Sequence, residues 1–202
     1  VILYLLRHAA TQANKDGLIL GALDPPALPE ALSSFASSSR ILVDKGIRRV
    51  FSSPLVRAAE AAAILARILG VPCDILPGLA ELSAGVYEGR RRRDILPPDR
   101  PLRRNWTDRP AGGESMADAA SRVAVALDGI RNALVRGPVA VVGHAVVNRV
   151  LLMLLLGRQD DALFGFIQPH GTVVAVSETD GIVRLAPDAS AGNDLPGPRA
   201  QT

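Results

Sequence analysis

Two short apolar runs of strand character each end in a histidine: Leu5-Leu6-Arg7-His8 and Val141-Val142-Gly143-His144. In a parallel sheet both imidazoles would emerge at the C-terminal edge, where open α/β folds bind ligands. A histidine at a strand end can equally be a hydrogen-bonded structural side chain, but two in the same local context favour a shared site. Arg7 sets a fixed positive charge beside His8, and Arg57 sets another about one turn into the helix expected after Ser53-Pro54. Taken alone, Arg57 reads as well on a solvated helix face. Grouped with two imidazoles, the guanidinium forks suit a phosphate, because Arg binds that group in a bidentate way and never loses its charge. A neutral imidazole is a good nucleophile near neutrality, and phosphoryl transfer needs little beyond in-line positioning and positive charge.

The elements that must hold these residues alternate between short apolar runs and helical patterns, which predicts a three-layer α/β/α sandwich around a mostly parallel sheet. Strands are expected at Val1–Leu6, Arg49–Ser52, Pro72–Leu76 (an edge strand) and Val139–Val142. A closing hairpin is expected from Thr172–Ser177 and Ile182–Leu185 around Asp180-Gly181. Arg7–Pro29 reads as a long loop, and Glu30–Lys45 as a helix stopped by Gly46. Leu55–Leu69 reads as a helix with Ser53 as N-cap, Pro54 at its first position and Gly70 as its stop. Ser115–Arg136 carries a capping-box signal in Ser115 and Asp118, and Ala145–Leu156 reads as a buried helix. Pro77–Gly113, broken by Gly, Pro and Arg around Trp106, is too long for a plain connection and is read as an active-site cover. One domain over residues 1–186 is expected, with a disordered tail at 187–202.

Five motifs occur in a set order: Leu6-Arg7-His8-Ala9-Ala10-Thr11 with Asn14, then Ser52-Ser53-Pro54-Leu55-Val56-Arg57-Ala58, then Leu79-Ala80-Glu81 with Gly85 and Glu88-Gly89. Gly112-Gly113-Glu114-Ser115 and Val142-Gly143-His144-Ala145 complete the set. Together they resemble the histidine phosphatase superfamily, which includes cofactor-dependent phosphoglycerate mutases and many small phosphatases. The resemblance implies a phosphoglycerate mutase-like fold and a metal-independent phosphomonoesterase working through a phosphohistidine. It makes His8 the nucleophile, and it has His144, Arg7 and Arg57 hold the phosphoryl oxygens. Glu81 matches the general acid, with Glu88 and Glu114 as rival carboxylates that read equally well as surface or helix-start charges. Thr11 and Asn14 are placed near the phosphate as donors, although Thr11 also reads as a turn residue. Gly21 would let backbone N–H groups approach an anion, and Ala145 borders the same pocket.

The chain departs from the family pattern in three places. Ala9 and Ala145 stand where the family usually has Gly, which narrows the pocket, and Val146 stands where mutases often have Asn. Val146 and the short cover favour hydrolysis over mutase transfer. Within the phosphatases, Arg7–Gly17, Trp106-Thr107-Asp108 and the Gly-Gly-Glu-Ser segment are similar to α-ribazole phosphate phosphatases. The alternatives are a cofactor-dependent phosphoglycerate mutase and an inactive phosphate-binding module.

Composition narrows the partners. With 202 residues, 48% of them hydrophobic, the chain can bury a sizeable core. The charge balance of 23 basic to 20 acidic residues is only +3, and aromatics are 3%, so stacking platforms for nucleic acid are scarce. A small phosphorylated substrate is the expected partner, without nucleic acid or membrane; a homodimer is compatible with the sequence. The apolar run Val146–Leu156 is interrupted by Asn148 and Arg149, and Val1–Leu6 is too short for a signal peptide. The lone Cys73 needs no oxidising compartment, which suggests the cytoplasm. No metal site or cofactor is expected, because one Cys and three His lack paired-ligand spacing. The run Arg90–Arg93 reads either as a solvated cluster or as a steering patch at the mouth of the site.

Overall fold

The computed structural model describes residues 2–95, 105–177 and 181–185. Strands β1 (Ile2–Arg7), β2 (Arg49–Ser52), β3 (Cys73–Ile75), β4 (Val139–Gly143), β5 (Val173–Ser177) and β6 (Gly181–Leu185) form one sheet. Its order is β3-β2-β4-β1-β5-β6, with the first four strands parallel and β5 antiparallel to both β1 and β6. The hairpin turn at 178–180 and the tail at 187–202 lie outside the described residues.

Side-chain alternation along the central strands builds two cores. Leu3 and Leu5 of β1, with Val139 and Val141 of β4, point into the layer of helices α4 (Met116–Leu134) and α5 (Ala145–Leu156). Tyr4 and Leu6, with Ala140 and Val142, point into the layer of α2 (Pro29–Ser39) and α3 (Val56–Leu69). Strands covered on both faces read as unbroken apolar runs, which is why β1 and β4 stand out in the sequence.

Several boundaries differ from the sequence reading. The loop expected at Arg7–Pro29 contains a short helix, α1 (Gln12–Lys15), because Thr11 and Asn14 form a capping box. Helix α2 ends at Ser39 rather than Lys45, followed by a 3-10 turn over Arg40–Leu42. Ser33, Ser34, Ser37 and Ser38 each donate back to the carbonyl four residues earlier, which weakens a helix interior. Helix α3 begins at Val56, and Ser53 is not its cap: the first-turn N–H of Val56 is taken at 2.8 Å by Asp24, from the preceding loop. The Ser115–Asp118 capping box of α4 is present as expected. One short helix, α6 (Asp161–Phe164), capped by Asp160, was not anticipated. The described part of Pro77–Gly113 holds 3-10 turns, at 77–79, 85–87 and 92–94, and an isolated bridge from Arg91 to Leu18.

Candidate active site

Register alone brings the key side chains together. Leu6 pairs with Val142 and Arg7 with Gly143, while Ser52 pairs with Val142 from the other side. The next residues, His8, His144 and Ser53, therefore leave three adjacent parallel strands at one edge. Two further ladder-like bonds extend this register, from His8 N–H to the Gly143 carbonyl and from Ser53 N–H to the Val142 carbonyl, both at 3.0 Å. The His8 and His144 rings lie 4.9 Å apart between centroids, and both are buried.

The bond partners of each ring bear on where its proton sits. His8 Nδ1 lies 2.7 Å from the Ala9 carbonyl, which can only accept, so Nδ1 carries the hydrogen and Nε2 carries the lone pair. His144 Nε2 lies 2.7 Å from the Ser53 hydroxyl, and that oxygen also accepts the Leu55 N–H. We assign the hydroxyl as donor to Nε2, which puts the His144 hydrogen on Nδ1, the ring nitrogen without a partner among the described residues. Burial first, then His144, His170, Arg7 and Arg57, holds the His8 imidazole well below its ordinary range. Burial and then Arg57, Arg7, Arg122 and His170 do the same for His144. Both rings are thus neutral.

Arg57 is 1% exposed, so the solvated-face reading of it is wrong. Its guanidinium donates to the carbonyls of Leu23 at 2.5 Å and Gly21 at 3.2 Å, with Asp24 at 3.6 Å. Arg7 donates to the Gln168 carbonyl at 3.0 Å. Arg7 Nε, Arg57 Nε and His144 Nδ1 are buried with no hydrogen-bond partner among the described residues. Such clustered buried donors call for an acceptor, and a phosphoryl group supplies three.

The three candidate carboxylates have distinct surroundings. Glu81 accepts the N–H groups of Val146 at 3.0 Å, Val147 at 2.9 Å and Leu82 at 3.0 Å, which seats it on the N-terminus of α5 just past His144. Glu88 is spent on loop closure: one oxygen accepts from Ala22, Ser83 and Ala84 at 2.8–3.0 Å. Glu114 accepts the Ser83 N–H and pairs with Arg122 at 3.1 Å, and Arg122 donates to the Gly78 and Ala80 carbonyls. That pair clamps the segment that carries Glu81.

The remaining expected residues divide. Asn14 and Ala145 line a cleft of about 750 Å³ that also includes Arg7 and His170. Thr11 is fully buried and bonded to Asn14, so the structure gives it the capping role. Gly21 offers its carbonyl to Arg57; it must be glycine because a Cβ there would meet Glu88 Oε1 at 2.3 Å, at a backbone φ of +54°.

Sequence reasoning missed two participants. Ser53, read as a helix cap, holds His144 instead. His170 sets its ring edge-on to His8 with centroids 4.8 Å apart, and its Nδ1 donates to the His8 carbonyl at 2.8 Å. Burial, followed by Arg7, pushes it down to about 4. Its segment is tied to β1 by Gln168, which donates to the Leu5 carbonyl, and by Asn148, which bridges the Leu6 carbonyl and Gln168. Among the described residues, no group of three or more His, Cys, Asp or Glu could hold a metal ion, and no helix is long and apolar enough to cross a membrane.

An α/β/α sandwich with two neutral histidines, a buried arginine and a half-buried one at the C-terminal edge of its sheet defines a protein that handles phosphoryl groups. The chain belongs to the histidine phosphatase superfamily (branch 1), whose family model matches residues 3–186. It is 27% identical over 179 residues to the adenosylcobalamin/alpha-ribazole phosphatase of Escherichia coli K12, covering 86% of this chain and 88% of that one. It is 29% identical over 159 residues to a probable phosphoglycerate mutase, GpmB, of Yersinia pestis, covering 76% and 74%. The mycobacterial glucosyl-3-phosphoglycerate phosphatase, solved in complex with VO3, superposes with a TM-score of 0.80 at 23% identity over 94% of this chain and 99% of that one. The expected phosphoglycerate mutase-like fold is therefore the fold of this protein.

Proposed function

We propose that the protein hydrolyses a small phosphomonoester in two steps through a phosphohistidine on His8, without a metal. The observation that carries this reading is the bond from His8 Nδ1 to the Ala9 carbonyl, which leaves the Nε2 lone pair beside Arg7, Arg57 and His144. In the first step that lone pair attacks phosphorus while the bond to the ester oxygen breaks. Glu81, carrying a proton at that stage, delivers it to the leaving oxygen. In the second step water attacks the phosphohistidine, Glu81 takes up the proton of the water, and the P–N bond breaks to restore the neutral imidazole. Arg7, Arg57 and the Nδ1–H of His144 hold the phosphoryl oxygens throughout.

Val146 supports hydrolysis over mutase transfer, because an apolar side chain at the cleft wall offers no hydrogen bond to a second hydroxyl of a retained phosphoglycerate. The grouping of all five chemical residues at one edge speaks against an inactive module. The similarity of Arg7–Gly17 to α-ribazole phosphate phosphatases makes α-ribazole phosphate a substrate to assay. An exposed, unpaired Cys73 suits a cytoplasmic setting. The test is a rapid acid-free quench with labelled substrate in EDTA: label should sit on His8 and vanish in His8→Ala. Substantial turnover by His8→Ala would overturn the reading.

A further inference from the structure

The cleft outside the phosphoryl pocket is chemically lopsided. Its lining combines the cations Arg7, Lys15, Arg92 and Arg149 with the apolar side chains of Val146, Phe164 and Ile167. No acidic residue lines it among the described residues. Ile167 is 67% exposed, so an aliphatic side chain stands in water at the rim.

The cations are not equivalent. Arg7 serves the phosphoryl site. Lys15 is paired with Glu30 at 2.6 Å, and Arg149 donates to the Phe166 carbonyl at 2.9 Å. The Arg90–Arg93 run also splits. Arg90 sits over the Tyr87 ring at 5.8 Å, Arg91 donates to the Asp16 carbonyl at 3.3 Å, and Arg93 pairs with Asp94 at 3.7 Å. Only Arg92 of that run lines the cleft, and its guanidinium has no hydrogen bond or ion pair among the described residues. Its backbone is anchored to the loop after the nucleophile, through its N–H to the Gly17 carbonyl at 2.9 Å and the adjacent Leu18–Arg91 bridge. Its charge reaches the reaction centre: after burial and Glu81, Arg92 is the next influence on Arg7, and it acts against the Arg7 charge. A lone cation that repels its neighbours at a cleft mouth is stabilised by an anion brought by the ligand.

We propose that Arg92 reads a second anionic group on the leaving alcohol of the substrate, so the preferred substrates are phosphomonoesters whose alcohol carries a carboxylate or phosphate-like anion and an apolar face. The apolar part lies against Val146, Phe164 and Ile167. This inference rests on the phosphatase reading and deepens it. A neutral alcohol leaves the Arg92 charge uncompensated, so α-ribazole phosphate, a nucleoside ester, should be turned over more slowly than an ester with a second anion.

The experiment uses three arylpropyl phosphates that differ only in the remote para group on the ring: carboxylate, phosphonate or carboxamide. The reacting alcohol is the same in all three, so leaving-group chemistry is constant. The two anionic esters should exceed the carboxamide in kcat/KM by about tenfold, as a charge-assisted contact gives. The faster of the two identifies the anion. Arg92→Gln, at an exposed position, should bring the anionic esters down to the level of the carboxamide, which should lose least of the three. Equal rates for all three esters in the unaltered protein would overturn the inference alone, as would an equal loss for all three in Arg92→Gln. Turnover of none of them, with no phosphohistidine trapped, would remove the phosphatase reading along with it.

Discussion

The Ser53 hydroxyl and His144 Nε2 lie 2.7 Å apart with both residues buried, and with the hydroxyl as donor it is Nδ1 of His144 that donates to a phosphoryl oxygen. Ser53→Ala removes the donor and leaves Nε2 free to take the hydrogen, which strips it from Nδ1. A lost buried hydrogen bond costs about 1–3 kcal/mol, so kcat/KM should fall by roughly 5- to 150-fold. Ser53→Thr, which keeps the hydroxyl, should recover much of the rate. If Ser53→Ala kept full activity, the tautomer assignment of His144 would be wrong.

Glu81 is separated from Glu88 and Glu114 by the kind of damage each substitution does. An alkoxide needs a proton as it leaves, whereas nitrophenolate does not, and a positioned acid contributes about 10²–10⁴ in rate. Glu81→Gln should slow alkyl phosphates far more than p-nitrophenyl phosphate. Glu88→Gln and Glu114→Gln, which disturb loop closure and the Arg122 pair, should instead lower Tm and slow both substrates alike. A selective loss in Glu114→Gln would move the acid role there.

Much of this site was legible because β1 and β4 are buried on both faces, so their apolar runs are unmistakable and the residues that end them, His8 and His144, follow directly. Arg57 followed from the adjoining helix. What escaped depends on contacts remote in sequence. His170 reaches His8 only because Gln168 and Asn148 lash its segment to β1, and neither amide carries a local signal. Ser53 read as a helix cap, but Asp24, from a loop, takes the Val56 N–H and leaves the Ser53 hydroxyl to His144. Within Arg90–Arg93 nothing in composition singles out Arg92; the Leu18–Arg91 bridge does so by fixing which side chain faces the cleft.

The neutral histidines make stability depend on pH in a defined direction. His170 titrates at about 4 in the folded protein, against about 6.5 when unfolded. Between these values the unfolded chain binds the extra proton. Stability is therefore full above about pH 6.5 and falls as pH drops toward 4, by at most about 3 kcal/mol from this residue. His8 and His144, also lowered, add to the same slope. Thermal unfolding at pH 7 and pH 5 should show a drop in Tm on acidification that is smaller by a few degrees in His170→Asn. An equal drop in both proteins would mean that His170 is not held neutral.

Gly143 precedes His144 at the end of β4, and its missing side chain is a packing requirement. A Cβ there would lie 2.1 Å from Asn148 Oδ1 and 3.2 Å from its Cγ. Asn148 is fully buried and cannot swing away without giving up its bonds to the Leu6 carbonyl at 3.0 Å and Gln168 at 2.9 Å. Those bonds hold the segment that places His170 and the Arg7 contact. Gly143→Ala should therefore cost about 1–3 kcal/mol, the range for overpacking a core or stranding a buried polar group. It should also lower kcat, because the displaced amide acts on both sides of His8. Gly129→Ala is the control: that glycine lies inside α4 with nothing within 4 Å of its added Cβ. There the substitution should stabilise the protein by about 0.4–1 kcal/mol and leave kcat unchanged. Urea titrations paired with turnover measurements on both variants check this, and a Gly143→Ala protein as stable and active as the parent would show that Asn148 is not the clamp described.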